Sequence, residues 1–425
     1  MTKIKPFKAV IYNQDKIKDL SAVVCPPYDV ISPKRQQYYH DLDPHNLIHI
    51  LLGKDSASDD KYQRAADIFN TWFKNKILIQ EDKPSIYFYS QQYNLKGETK
   101  TRFGFIALLY LEDRNSSIFG RENTRLEPKE DRLRLLRQVK ANLSPIFAVF
   151  SDQRRIIQRT QEHIVTKNPF IDITDDEKTI HKLWRLDSAD LLTSIKENML
   201  NENIFIADGH HRYEVACAYR EEMKKKLGNL SGEESFNYTL TYFTSSASRG
   251  LTILPIHRLV KLVSGFQMDN FISSLREYFD VEEVKDETRF FFLLKKAGTA
   301  EHVLGMYKDK RYWLLRLKNI KILDKMISDK PKLYRSLDVT ILNCIVLKDI
   351  LGIALEDKAR ISFTANSDEL IEQADADSLS VGFFLNPVRM QEIMSIALSQ
   401  EKMPAKSTYF YHKVLSGLVI NKHED

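Results

Sequence analysis

The sequence predicts an α+β protein. Short β-rich runs alternate with helical stretches along the N-terminal part. One helix is signalled by Tyr62, Ala65, Ala66, Phe69, Trp72 and Phe73 at helical spacing in YQRAADIFNTWFKNKIL. And IADGHHRYEVA, from Ile206 to Ala216, joins an apolar strand to an amphipathic helix through a glycine.

In chain order, SIYFYSQQYN and RFGFIALLYLED read as the strands of a hairpin turning across Gly97. EDRNSS (112–117) reads as a break. Pro128 suits the first turn of a helix, and Leu133, Leu136, Val139 and Leu143 carry its apolar face, with an end near Asn142. Arg132, Arg134, Arg137 and Lys140 form a basic face expected to be solvated. Ile146 to Phe150 reads as a strand, followed by a helix near 188–200, the strand NIFIA, and a helix marked by Val215, Ala216, Tyr219 and Met223. SFNYTLTYFTS alternates Phe236, Tyr238, Leu240 and Tyr242 on one face, as a strand does. Beyond about residue 263 the pattern is mixed α and β.

A chain of 425 residues predicts two or three modules. Its 43% hydrophobic and 28% charged residues exclude wholesale disorder. A formal net charge of +5 is too weak a field to argue for nucleic acid and suits an anionic small molecule. Cys25, Cys217 and Cys344 are few and far apart, so neither a disulfide framework nor a thiolate zinc site is expected. Early charges in MTKIKPFKAVIYNQDK replace the apolar core of a signal peptide, and the apolar run near Phe105 to Leu111 is too short to span a bilayer. The expectation is a soluble cytoplasmic protein with no membrane partner.

The motif at the strand–helix turn carries the chemistry. Arg and His on a first helical turn each cost roughly 0.3–1 kcal/mol when ionised, because the helix N-terminus is already positive. Asp208 offsets part of this. A bound phosphate offsets more, taking both the backbone N–H groups and the side chains. Gly209 lets the backbone approach closely. Gly209, His210, His211 and Arg212 therefore read as an anion clamp. A protein-ligated zinc is disfavoured, since adjacent histidines point apart. The GxG spacing of the dinucleotide fingerprint is missing, and Lys406 to Thr408 lacks the glycines of a P-loop.

Three further stretches offer polar groups. CPPYDVIS (25–32) is a rigid turn whose Tyr28 and Asp29 either make a corner or face substrate. His257 and Arg258 follow a proline and end a strand, where they either reach the same anion or pair on the surface. Lys406, Ser407 and Thr408 have donors suited to phosphate or a substrate carboxylate, or merely accompany strand packing by Tyr409 and Tyr411.

IADGHHRYEVA resembles the phosphate-binding motif of the ParB/sulfiredoxin-like superfamily, whose free serine kinase branch has a DGHHR-type sequence there. VVCPPYDVIS, ENTRLEPKEDRLRLLRQVKANLSPIF, ILPIHRLV and MPAKSTYFYHKVLSGLV resemble successive blocks of an uncharacterised bacterial and archaeal family of about this length, called SerK-like or a domain of unknown function. The resemblance implies a ParB/sulfiredoxin-like core at 116–262, an N-terminal α+β domain at 1–115 and a C-terminal α+β domain at 263–425. It implies that Gly209, His210, His211 and Arg212 hold nucleotide phosphates, that Asp208 is catalytic, and that Glu122 in RENT is the base activating a serine hydroxyl. Arg121 stands where the family has His, and His412 where it has Pro. Phosphoryl transfer needs cations on the transferring group, a carboxylate-held Mg²⁺ and a proton acceptor. These roles fall to the His-His-Arg cluster, to Asp208 and to Glu122. The expected function is a kinase using ATP or ADP on a small hydroxylated metabolite, with L-serine as default. The alternatives are a ParB-like nucleotide switch, for which DNA is disfavoured because no helix-turn-helix is evident, and an anion-binding regulator without turnover.

Overall fold

The hairpin at 86–110 shows how local chemistry sets the frame. Strands Ile86–Leu95 and Glu98–Tyr110 pair antiparallel, closing on Leu95 opposite Glu98. Only Lys96 and Gly97 connect them, with φ of 49° and 82°. Two left-handed residues in succession make a turn whose twist matches that of the strands. The computed structural model describes all residues except 57–58, 113–116, 121–125, 229–230 and 425, with the side chains of 126–128 also outside the description. The chain is mixed α and β, as expected. It divides into two units, Met1–Thr252 with His412–Asp425, and Ile253–Tyr411.

In the first unit, the described residues form a nine-stranded sheet around this hairpin. Its path runs from Ile118–Phe119 through Ile204–Asp208, Ile146–Phe150, Tyr238–Ser245, Glu98–Tyr110, Ile86–Leu95 and Ile180–Leu186 to Ile171–Thr174, with Ile4–Lys5 pairing beside Glu98–Tyr110. Two pairings are parallel, Ile204–Asp208 with Ile118–Phe119 and Tyr238–Ser245 with Ile146–Phe150. On one face Phe88, Phe105, Phe150, Ile206 and Phe243 pack with Ile156, Ile157 and Ile164 of helix Ile156–Ile164 and with Ile195 and Met199 of helix Ala189–Met199. Each such side chain, fully buried, contributes roughly 1.5–3 kcal/mol. A second cluster joins Leu133 and Leu136 of helix Leu126–Val139 to Val215 and Tyr219 of helix His210–Leu227.

Helix Lys61–Lys74 forms where its period places it and buries Tyr62, Ala65, Ala66, Phe69 and Trp72. Two expectations need correction. The expected strand is present as Tyr238–Ser245 and is buried at every position: Phe243 enters the main core, while Tyr242 lies against Phe147 with ring centroids 5.5 Å apart. Phe236 precedes it in the turn Ser235–Asn237. The helix expected to reach Asn142 stops at Val139, because Lys140 turns left-handed (φ 49°) and Ala141–Asn142 pairs with Asn421–Lys422. The break expected over 112–117 falls mostly outside the described residues.

The second unit holds a six-stranded sheet of antiparallel neighbours, in the order Phe279–Val284, Arg311–Leu317, Val303–Lys308, Ser380–Phe384, His257–Lys261 and Ile361–Thr364. Phe290, Leu294, Leu370 and Phe384 are among its core residues. Among the described residues no helix is long and apolar enough to cross a membrane.

Candidate functional site

Strand Ile204–Asp208 ends on Asp208 and helix His210–Leu227 begins two residues later, so the expected strand–turn–helix is present. Gly209 makes the turn with φ 84°. A Cβ there would lie 2.8 Å from Cζ of Arg212, so glycine is required both for the left-handed backbone and for the close approach of that guanidinium. The N-cap position is Gly209 itself, which has no side chain to cap the helix. The N–H of Tyr213 bonds back to the Gly209 carbonyl, which leaves the amides of His210, His211 and Arg212 as the first-turn donors that an α-helix cannot satisfy internally.

Asp208 is the hub. Arg212 Nη2 donates to its Oδ2 at 2.6 Å, and Lys413 Nζ donates to its Oδ1. Burial disfavours the carboxylate, but Lys413, Arg212 and the nearby His210 override it and hold the group well below the usual carboxylate range. All three paired side chains are nearly buried, at 13% exposure for Asp208, 12% for Arg212 and 10% for Lys413. The other guanidinium arm, Nη1 of Arg212, donates to the Pro145 carbonyl, and Asp29 Oδ1 lies 4.0 Å from Nη2. The arginine of the expected clamp is thus turned back onto protein acceptors. His210 is buried beside it.

Lys413 was missed in the sequence. Its one signal is a lone cation in the otherwise apolar stretch YHKVLSGLVI, which is uncommon for lysine unless paired. The surrounding backbone is pinned: Gln91 donates to the Lys413 carbonyl at 2.8 Å, and Arg102 to the His412 carbonyl at 2.6 Å. Ser416 and Ser144 share a hydroxyl hydrogen bond at 2.6 Å. His412 Nε2 meets Glu177 Oε2 at 2.7 Å.

A cleft opens beside the hub. Its walls include Leu135, Leu136, Leu143 and Val215, and its polar rim includes Arg132 and Arg212. Tyr28 also lines it, with the Arg132 guanidinium 4.5 Å from the ring centroid. Burial pushes the Tyr28 phenol up to about 12, so it stays a neutral hydroxyl. Arg132 is a correction: it is buried, not solvated, donating to the Leu51 carbonyl at 2.6 Å and to Asp131 at 2.7 Å. Arg134 and Arg137 are half-exposed and ion-paired, with Asp60 and with Glu222.

Glu122 lies outside the described residues. His257, Arg258, Lys406, Ser407 and Thr408 belong to the second unit. His257 and Arg258 open a strand and do not end one. Arg258 donates to the Ile256 carbonyl and, at 2.9 Å, to the Lys406 carbonyl, so those two stretches do meet. His257 contacts Ser367 Oγ at 3.2 Å and accepts from the Leu385 amide at 3.2 Å. Ser407 donates to the Pro404 carbonyl. Among the described residues no group of three or more His, Cys, Asp or Glu is arranged to hold a metal ion. Asp208 already has a cation on each oxygen, so the donors described here do not fit the expected Mg²⁺.

The family described as "Protein of unknown function (DUF1015)" matches residues 4–340. No curated protein matches. Among solved structures, SbnI with a C-terminal truncation from Staphylococcus aureus is 10% identical, aligned over 73% of this chain and 85% of that one, with a TM-score of 0.36. A free serine kinase in complex with AMP is 12% identical over 70% and 88%, at 0.32. A conserved hypothetical protein from Pyrococcus furiosus is 10% identical over 69% and 87%, also at 0.32.

Proposed function

For this chain, which belongs to the DUF1015 family, we propose a nucleotide-dependent phosphotransferase acting on the hydroxyl of a small metabolite. The observation that carries this reading is Asp208 held between Lys413 and Arg212 at the N-terminus of helix His210–Leu227, beside a cleft. First-turn amides and the helix dipole favour a phosphate. In the proposed reaction the acceptor oxygen forms a bond to the terminal phosphorus of ATP or ADP, and the bond from that phosphorus to its bridging oxygen breaks. The amides of His210, His211 and Arg212 hold the transferring group. Lys413 supplies positive charge where charge develops, and Asp208 positions it. The hydroxyl proton passes to Glu122, a role that rests on the resemblance of RENT to the kinase motif. L-serine as acceptor and a ParB/sulfiredoxin-like core rest on the same resemblance. Because Asp208 does not fit a Mg²⁺ ligand as arranged, no step is routed through a metal.

A second reading, nucleotide binding without turnover, is favoured by the same double ion pair, which commits both oxygens of Asp208. Phosphorus NMR of the protein with Mg²⁺, ATP or ADP and L-serine separates the two. A new phosphomonoester signal, absent in Asp208→Asn and Lys413→Met, supports transfer. Nucleotide binding with no product from any hydroxylated acceptor supports the binding-only reading.

A further inference from the structure

Outside the Asp208 hub, His40 and His49 meet across two helices, Pro33–Leu42 and Ile48–Leu51. Their Nδ1 atoms are 3.1 Å apart, and the rings are nearly perpendicular with centroids 4.5 Å apart. His40 Nε2 faces the Leu52 carbonyl at 3.2 Å, and His49 Nε2 faces the Asp43 carbonyl at 3.2 Å.

The hydrogens do not add up for two neutral rings. A carbonyl only accepts, so each Nε2 needs its own hydrogen, which uses the single N–H of each neutral imidazole. Both Nδ1 atoms are then bare lone pairs facing each other. A proton or a metal ion between them removes the repulsion. Burial lowers the proton affinity of both rings, outweighing Asp43 and Asp41, while Lys54 and His45 add to the lowering. A metal ion leaves both rings neutral and uses the lone pairs as they stand. It also finds the outer arrangement that metal-binding histidines have, with the far N–H held by a backbone carbonyl.

We propose that His40 and His49 form a two-histidine seat for a divalent transition metal of the zinc type, with water completing its coordination. Two nitrogens each about 2.0–2.1 Å from one zinc ion readily sit 3.1 Å apart. The ion ties the two helices together at Leu51–Leu52. Leu51 lines the cleft and its carbonyl holds Arg132, so the seat braces one wall of that cleft. The inference is independent of the proposed phosphotransfer.

The test is titration of the full chain with Zn²⁺, counting equivalents for wild type, His40→Gln and His49→Gln, with circular dichroism checking the fold. Both variants are expected to lose one equivalent, with affinity at that site falling at least tenfold. In the wild type, Zn²⁺ is expected to displace the imidazole ¹⁵N resonances at Nδ1 of both rings and not at Nε2. Unchanged stoichiometry in the variants overturns the proposal. So does an ¹⁵N titration in which the pair takes up one proton near neutral pH while Zn²⁺ moves neither Nδ1, and that measurement needs no variant to fold.

Discussion

Lys413 donates to Oδ1 of Asp208 across 205 positions of sequence, while Arg212, four residues on, fills Oδ2. One nearly buried carboxylate thus serves two cations, one on each oxygen. Removing a charge from such a set leaves the others desolvated and uncompensated, which is costlier than the pair itself is stabilising.

Asp208→Asn is therefore expected to destabilise the first unit by about 3–5 kcal/mol. Urea unfolding followed by circular dichroism measures it. A double variant with Lys413→Met is expected to recover part of the loss, because the neutral methionine no longer needs a counter-ion. A double variant as unstable as the sum of the singles would show that the pair is not coupled.

Gly209→Ala is expected to cost roughly 1–2 kcal/mol for the left-handed backbone alone. The added Cβ, 2.8 Å from Cζ of Arg212, also forces the guanidinium off Asp208. Loss of nucleotide affinity in this variant, read by calorimetry, is expected to exceed its loss of stability. Equal nucleotide affinity to wild type would separate the turn from the binding site.

Lys413→Met is expected to lower phosphotransfer by on the order of 10²–10³, the usual effect of removing one donor aimed at developing charge. Lys413→Arg is expected to restore only part of it, since a planar guanidinium replaces a point charge. Product formation followed by phosphorus NMR gives the ratio. Wild-type turnover in Lys413→Met would remove the lysine from the mechanism.

Acid stability provides a fourth test. The hydrogen bond from His412 is the largest cause that holds Glu177 down to about 2, with Arg35 adding to it and burial opposing. A carboxyl depressed on folding contributes stability above its unfolded value of about 4.3, and that contribution is lost as pH falls toward the folded value. Thermal melts of the wild type are expected to weaken between about pH 4.3 and 2, and Glu177→Gln to flatten that limb. Because Glu177 and His412 anchor the segment that carries Lys413, the same variant is expected to loosen Lys413 from Asp208.

Much of this architecture was legible in the chain itself, for identifiable reasons. Helix Lys61–Lys74, the hairpin across Lys96–Gly97 and the strand–glycine–helix at 204–227 each follow from apolar spacing and turn chemistry within one window of sequence. Alternation in Tyr238–Ser245 marked the strand, but not its burial on both sides, because a central strand buries its threonines as well. The solvated reading of Arg132 failed for a related reason: a long cationic side chain on a helix turns inward when a carbonyl and a carboxylate wait there.

The sequence by itself determined where the strand–glycine–helix turn lies and that Gly209 must make it, since both depend on neighbours within a few residues. Tertiary structure alone decided that Lys413 joins Arg212 on the turn's aspartate, that His257 and Lys406 sit in the other unit, and that the Nδ1 atoms of His40 and His49 come within 3.1 Å. The Lys413–Asp208 pair joins positions 205 apart, a separation that leaves no periodic trace. It is set by how the last 14 residues, His412–Asp425, return to the first unit.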